Sequence, residues 1–217
     1  MSPTLSYIST ASSLAPAVSA LVRYKKIHPV FFPFLLCMWL AAANDIIGSA
    51  MVANSYSTAV SNNIYVLLEA VLLMWQFKNW EIFSKKENHF LLRLILLLAL
   101  WVVDCFFFSG IYKVATWFRI GYSFMLVLLA INMLNAILIS DFKGLARNCI
   151  FVICTCIIAF YTFKVFVEIF WLYGRDLSKI FRSNIYLITL FLNILCNLFY
   201  FIATLWMPRK INFSSLY

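Results

Sequence analysis

The stretch Cys149–Tyr173, CIFVICTCIIAFYTFKVFVEIFWLY, decides what kind of chain this is. Lys164 and Glu168 are its only charged residues, and it holds neither Gly nor Pro. An α-helix rises about 1.5 Å per residue, so roughly 20 apolar residues cross the ~30 Å of hydrocarbon in a bilayer. This stretch is long enough. A continuous helix also bonds every backbone amide within itself, which a lipid environment demands.

The rest of the chain repeats the pattern. Of its 217 residues, 65% are hydrophobic and 12% charged, against about 25% charged in soluble domains. That much apolar surface cannot be hidden in one aqueous core, so lipid is the expected solvent. Seven apolar windows emerge at about 5–22, 30–52, 63–83, 90–109, 117–140, 149–173 and 185–207. They predict an all-α, polytopic transmembrane bundle forming a single domain over 1–217. Transmembrane strands would show segments of about ten residues with strict alternation, and none is seen. The first window is the weakest, being rich in Ser and Thr and holding Pro16. Val18-Ser19-Ala20 has the look of a signal-peptidase site. No Lys or Arg precedes Leu21, however, so the window reads as an uncleaved helix.

The net charge of +9 is distributed as in a polytopic protein, not as in one that binds nucleic acid. One set of connections carries Arg23, Lys25, Lys26, Lys78, Lys85, Lys86, Lys143, Arg147, Arg209 and Lys210. The other carries Lys113, Arg175, Lys179 and Arg182. Cytoplasmic loops concentrate Lys and Arg, which predicts an outside N-terminus and a cytoplasmic C-terminus. Trp80, Tyr112, Trp117, Trp171, Tyr173 and Trp206 mark helix ends as interfacial aromatics do. The six cysteines fall within or beside apolar windows and read as packing residues, not as a disulfide framework.

Ionisable groups inside the windows are the candidates for function, because an unpaired charge at mid-bilayer costs about 2.5–3.5 kcal/mol or more. They are Asp45, Glu69, Asp104, Arg119, Lys164 and Glu168. Counted along their helices, all lie roughly 3–14 Å below the predicted outer end, so they form one polar layer. Lys164 and Glu168 are four apart and able to pair on one face. Tyr65 precedes Glu69 by one turn, Asn44 adjoins Asp45, and Asn132 and Asn135 sit on the fifth helix. Asn193 and Asn197 share a face of the last helix, where Asn serves as an interhelical hydrogen-bonding residue. Two readings stand side by side: structural pairing, or a polar cavity open to the outside that takes a small ligand or ion. Arg119 lies close enough to its helix end to snorkel to the interface.

Several chemistries drop out. His28 and His89 are the only histidines, so a three-histidine zinc site cannot be built, and no metal or cofactor is expected. No HExxH, GxSxG or Gly-rich phosphate loop occurs. The last helix has no lysine for a retinal Schiff base at the usual rhodopsin position.

Three segments carry a resemblance: 14–29 (LAPAVSALVRYKKIHP), 62–77 (NNIYVLLEAVLLMWQF, with its Tyr-x-x-x-Glu) and 185–206 (IYLITLFLNILCNLFYFIATLW). Through them the chain resembles a loose group of small, uncharacterised seven-helix membrane proteins of Bacteroidota, which brings no activity with it. The leading expectation is a non-enzymatic, multi-pass protein of the bacterial inner membrane that senses or binds a small ligand from the outer side. An intramembrane lipid-modifying enzyme using Asp45 and Glu69 as paired carboxylates is the alternative. A proton- or ion-coupled transporter is the third.

Overall fold

The computed structural model describes residues 3–80, 87–140, 145–173 and 178–209. Among these, seven α-helices and no strands occur: α1 (Pro3–Arg23), α2 (Phe32–Ala53), α3 (Ala59–Asn79), α4 (Glu87–Val103), α5 (Thr116–Ser140), α6 (Cys149–Tyr173) and α7 (Lys179–Trp206). Six of them, α2 to α7, are long and apolar enough to cross a membrane. The all-α bundle expected from the apolar windows is the fold observed.

The helices close into a ring. α1 packs on α2 and α7, α2 on α3, α5 on α6, and α6 on α7, while α3 and α5 touch and α4 leans on both. α1 is too polar to count as a crossing by composition, and its hydroxyls show why it still belongs in the ring. Asn193 Nδ2 of α7 donates to Ser9 Oγ at 3.0 Å, and Asn197 Nδ2 to Ser12 Oγ at 2.8 Å. Ser19 Oγ and Thr204 Oγ1 lie 2.8 Å apart. Residue numbers rise together on the two helices, so α1 runs parallel to α7 along most of its length. Ser9, Ser12 and Ser19 thus form a polar seam turned toward α7. Interhelical side-chain bonds in membranes are worth about 0.6 kcal/mol on average. Replacing both Asn193 and Asn197 by Ala is therefore expected to cost about 1–2 kcal/mol in reversible unfolding from mixed micelles. An unchanged stability would show the seam to be idle.

Two helices start four or more residues before their sequence windows, and α4 gives way to a π-helical turn at Asp104, inside its own. α3 starts four residues earlier than expected because Asn62 N–H already bonds Thr58 C=O at 2.9 Å. α7 starts six residues earlier because the Ser178 side chain accepts from Phe181 N–H, an N-cap that draws Lys179 and Arg182 into the helix. The expected loop there is thus partly helical. One end of the ring, the basic end, carries Arg23, Lys25, Lys26, Lys78 and Arg209. The predicted loop charges Lys85, Lys86, Lys143, Arg175 and Lys210 lie outside the described residues.

α3 organises the bundle through three buried polar side chains. Near the basic end, Gln76 accepts from Phe34 N–H at 2.9 Å and donates to Val30 C=O at 2.9 Å. It thereby satisfies a first-turn amide of α2, one of the groups a helix cannot bond internally. Near the opposite end, Asn63 donates to Ile111 C=O (3.2 Å) and Lys113 C=O (2.7 Å) and accepts from Ala115 N–H (3.1 Å). One side chain thus shapes the whole α4–α5 connection. The third residue, Glu69, lies midway along the helix.

Candidate functional site

Glu69 is the middle residue of α3, about 15 Å from either helix end, which is deeper than its sequence window implied. Its carboxylate is fully engaged. Tyr65 Oη, one turn earlier on the same face, donates to Oε1 at 2.6 Å. Tyr122 Oη of α5 donates to Oε2 at 2.8 Å. Lys164 Nζ of α6 stands 3.6 Å from Oε2 and donates to Tyr122 Oη. The chain of donors runs Lys164 to Tyr122 to Glu69, and it joins α6, α5 and α3.

The ammonium of Lys164 is also framed by π-faces. Nζ lies 5.0 Å from the ring centroid of Tyr122, 5.2 Å from Tyr161 and 5.7 Å from Phe160, all inside the range of cation–π attraction. Tyr122 is held in place by stacking on Phe118 (5.2 Å) and an edge contact with Tyr161 (5.7 Å). A buried charge pair is tolerable only when its remaining hydrogen-bonding capacity is met, and both oxygens of Glu69 have hydroxyl donors.

One turn farther from the basic end, Arg119 Nη1 of α5 meets Glu168 Oε1 of α6 at 3.4 Å. Arg119 therefore faces into the bundle and does not snorkel. Lys164 and Glu168, expected as able to pair with each other along α6, instead take partners on other helices. The base-before-acid order at i,i+4 is the weaker arrangement, and Glu69 and Arg119 offer interhelical partners. Arg119 Nε has no hydrogen-bond partner although it is buried, and neither has Ser123 Oγ nearby on α5.

The Arg119–Glu168 pair and the Lys164 side of the other pair border a cleft of about 210 Å³ between α5, α6 and α7. Arg119, Lys164 and Glu168 supply its polar wall, and Phe160, Trp171 and Tyr186 part of its aromatic one. No protein-family model, curated protein or solved structure matches this chain.

The other members of the expected polar layer sit elsewhere. Asp104 is fully buried but opens a π-helical turn, Asp104–Phe108. Its Oδ1 accepts from Ser109 Oγ at 2.6 Å and its Oδ2 from Phe118 N–H at 2.8 Å. It ties the end of α4 to the first turn of α5, where a negative charge suits the helix dipole. Gly110 follows with φ +77°, a left-handed position that lets the chain reverse there without a Cβ clash. Asn193 and Asn197 serve the α1–α7 seam. Asp45 is half-buried on α2, facing Ser13 of α1. The oxygens of Glu69 are bonded to tyrosines, not to Asp45. Asn44 bonds Asn62 across the α2–α3 turn at 3.3 Å. Asn132 and Asn135 are exposed on α5.

Tyr122, Asn63 and Gln76 went unflagged in the sequence. Gln76 is seven residues after Glu69, nearly in phase on a helix, so a polar stripe on α3 was there to be found. Tyr122 had no such signal, because its partners belong to other helices. No cluster of three or more His, Cys, Asp or Glu that could hold a metal occurs among the described residues.

Proposed function

We propose that this membrane protein binds a small amphiphile in the cleft between α5, α6 and α7. The observation that carries this reading is the polar wall itself. A guanidinium with an unbonded buried Nε stands beside a carboxylate, with a second cation one turn deeper. A guanidinium carries five N–H donors, and the Arg119 side chain, 16% exposed, has some of them to offer an incoming acceptor. The aromatic side of the cleft suits an apolar body, as in ligand sites that are mostly apolar with a few placed polar groups. A head carrying both an acceptor for Arg119 and a donor for Glu168, that is, a zwitterion, matches the wall without adding net charge.

With the basic end in the cytoplasm of a bacterial inner membrane, as the loop charges favour, the cleft faces outward and the role is sensing or capture from that side. Thermal unfolding in detergent with zwitterionic, anionic and cationic amphiphiles of one chain length tests the proposal. Zwitterions are expected to stabilise wild type, approaching about 2.7 kcal/mol at a hundredfold excess over Kd. They should lose that effect in Arg119→Gln and Glu168→Gln. Equal response to all three head groups, or an unchanged response in both variants, sinks the proposal.

A further inference from the structure

A second cleft, of about 520 Å³, opens at the basic end, well away from the first. Lys25, His28 and Arg209 line it, with Asn79, and no acidic residue lines it among the described residues. Three segments bring these side chains together: the turn Tyr24–Lys26 after α1, the residue preceding the turn Pro29–Phe31, and the chain just beyond α7. The main-chain bond from His28 N–H to Pro208 C=O, 3.0 Å, holds the second and third side by side. His28 Nδ1 accepts from Val30 N–H at 3.3 Å, so its neutral ring carries the proton on Nε2 and has a donor to spare. The positive end of the α2 dipole lies at the same cleft, where Phe32 and Pro33 line it.

The opposite wall is apolar. Trp75 of α3, Phe32 and Leu35 of α2, and Tyr24 face the cleft, and Tyr24 packs on Phe32 with ring centroids 6.1 Å apart. Trp75 and Tyr24 remain 40% and 48% exposed, and such rings favour the boundary between acyl chains and head groups. Cations at the helix ends with an apolar wall running toward the bilayer have the chemistry of a phospholipid seen from its phosphate downward. Basic pockets between transmembrane helices hold anionic head groups in this way.

We infer that this cleft is a binding site for an anionic phospholipid, with its phosphate on Lys25, His28 and Arg209 and an acyl chain against Phe32 and Trp75. The occupant is a lipid and not a free anion, because the aromatic wall has no use for inorganic phosphate.

Native mass spectrometry of the full chain, released from micelles doped with equal phosphatidylglycerol and phosphatidylcholine of matched chains, tests it. Wild type is expected to retain phosphatidylglycerol at least about fivefold over phosphatidylcholine, and Lys25→Gln/Arg209→Gln less than about twofold. Lys113→Gln, at the other end of the bundle, should behave as wild type. Wild-type preference should also fall as salt rises from about 0.05 to about 0.5 M, since exposed charges are screened over that range. That measurement stands even if the double variant does not fold. Equal retention of the two lipids by wild type, an unchanged preference in a folded double variant, or displacement of the lipid by millimolar inorganic phosphate overturns the inference.

Discussion

Glu69→Gln is expected to destabilise the protein by about 3 kcal/mol or more, and by more than Lys164→Met does. Breaking a buried ion pair from one side leaves an uncompensated charge, which typically costs about 3–5 kcal/mol. The two sides of this pair are not equivalent. Without Lys164, both Glu69 oxygens keep their hydroxyl donors from Tyr65 and Tyr122. Without the Glu69 charge, Lys164 keeps one phenol oxygen and three ring faces as close contacts, and the nearest carboxylate is that of Glu168, one turn away and already paired with Arg119. Its side chain is 17% exposed toward the cleft, against 9% for Glu69. Some of the cost is therefore relieved by solvent, which is why the lower end of the range is expected. Unfolding in mixed micelles measures the order. Lys164→Met costing as much as Glu69→Gln or more would contradict the assigned bonding.

Asn63→Leu is expected to cost about 3–5 kcal/mol, and Asn63→Asp to recover little of it. Leucine strands the Ala115 N–H, which is fully buried, and removes the donors to two carbonyls. Each buried group left unbonded costs about 1–3 kcal/mol. Aspartate could still accept from Ala115, but its second oxygen would confront the Ile111 and Lys113 carbonyls where the amide now donates. An ordinary polar position at a helix start would accept aspartate readily, because negative charge suits that end of a helix. Near wild-type stability of Asn63→Asp would therefore refute the three-bond account. Protease susceptibility of the α4–α5 connection should rise in both variants.

The fold was legible because lipid imposes a length on apolar segments, and α6 was read at its observed bounds for that reason. α3 and α7 were misplaced at their starts by local polar chemistry. The Asn62 amide and the Ser178 cap extend these helices beyond the apolar windows that announced them. The site was legible only in part, for a related reason. Hydropathy marks a charge as out of place but does not say which way it faces. Glu69, Arg119, Lys164 and Glu168 meet, whereas Asp104 and Asp45 are turned elsewhere by the rotation of their helices about their own axes. Tyr65 could be attached to Glu69 from spacing alone, since both lie on one helix. Tyr122 could not, because its place depends on how α5 is rotated against α3 and α6. Three serines of α1, the helix that looks marginal by hydropathy, are explained by their partners on α7: Ser9, Ser12 and Ser19.

At the centre of this account is direct contact between α3 and α6 through Glu69 and Lys164, with Tyr122 of α5 between them. A double-mutant cycle with Glu69→Gln and Lys164→Met, followed by unfolding in mixed micelles, tests it most directly. Residues in one hydrogen-bonded ionic network couple by about 0.5–3 kcal/mol. The double variant should be more stable than Glu69→Gln alone, with a favourable coupling of at least about 1 kcal/mol. Losses that simply add, to within about 0.5 kcal/mol, would mean that the two side chains do not meet.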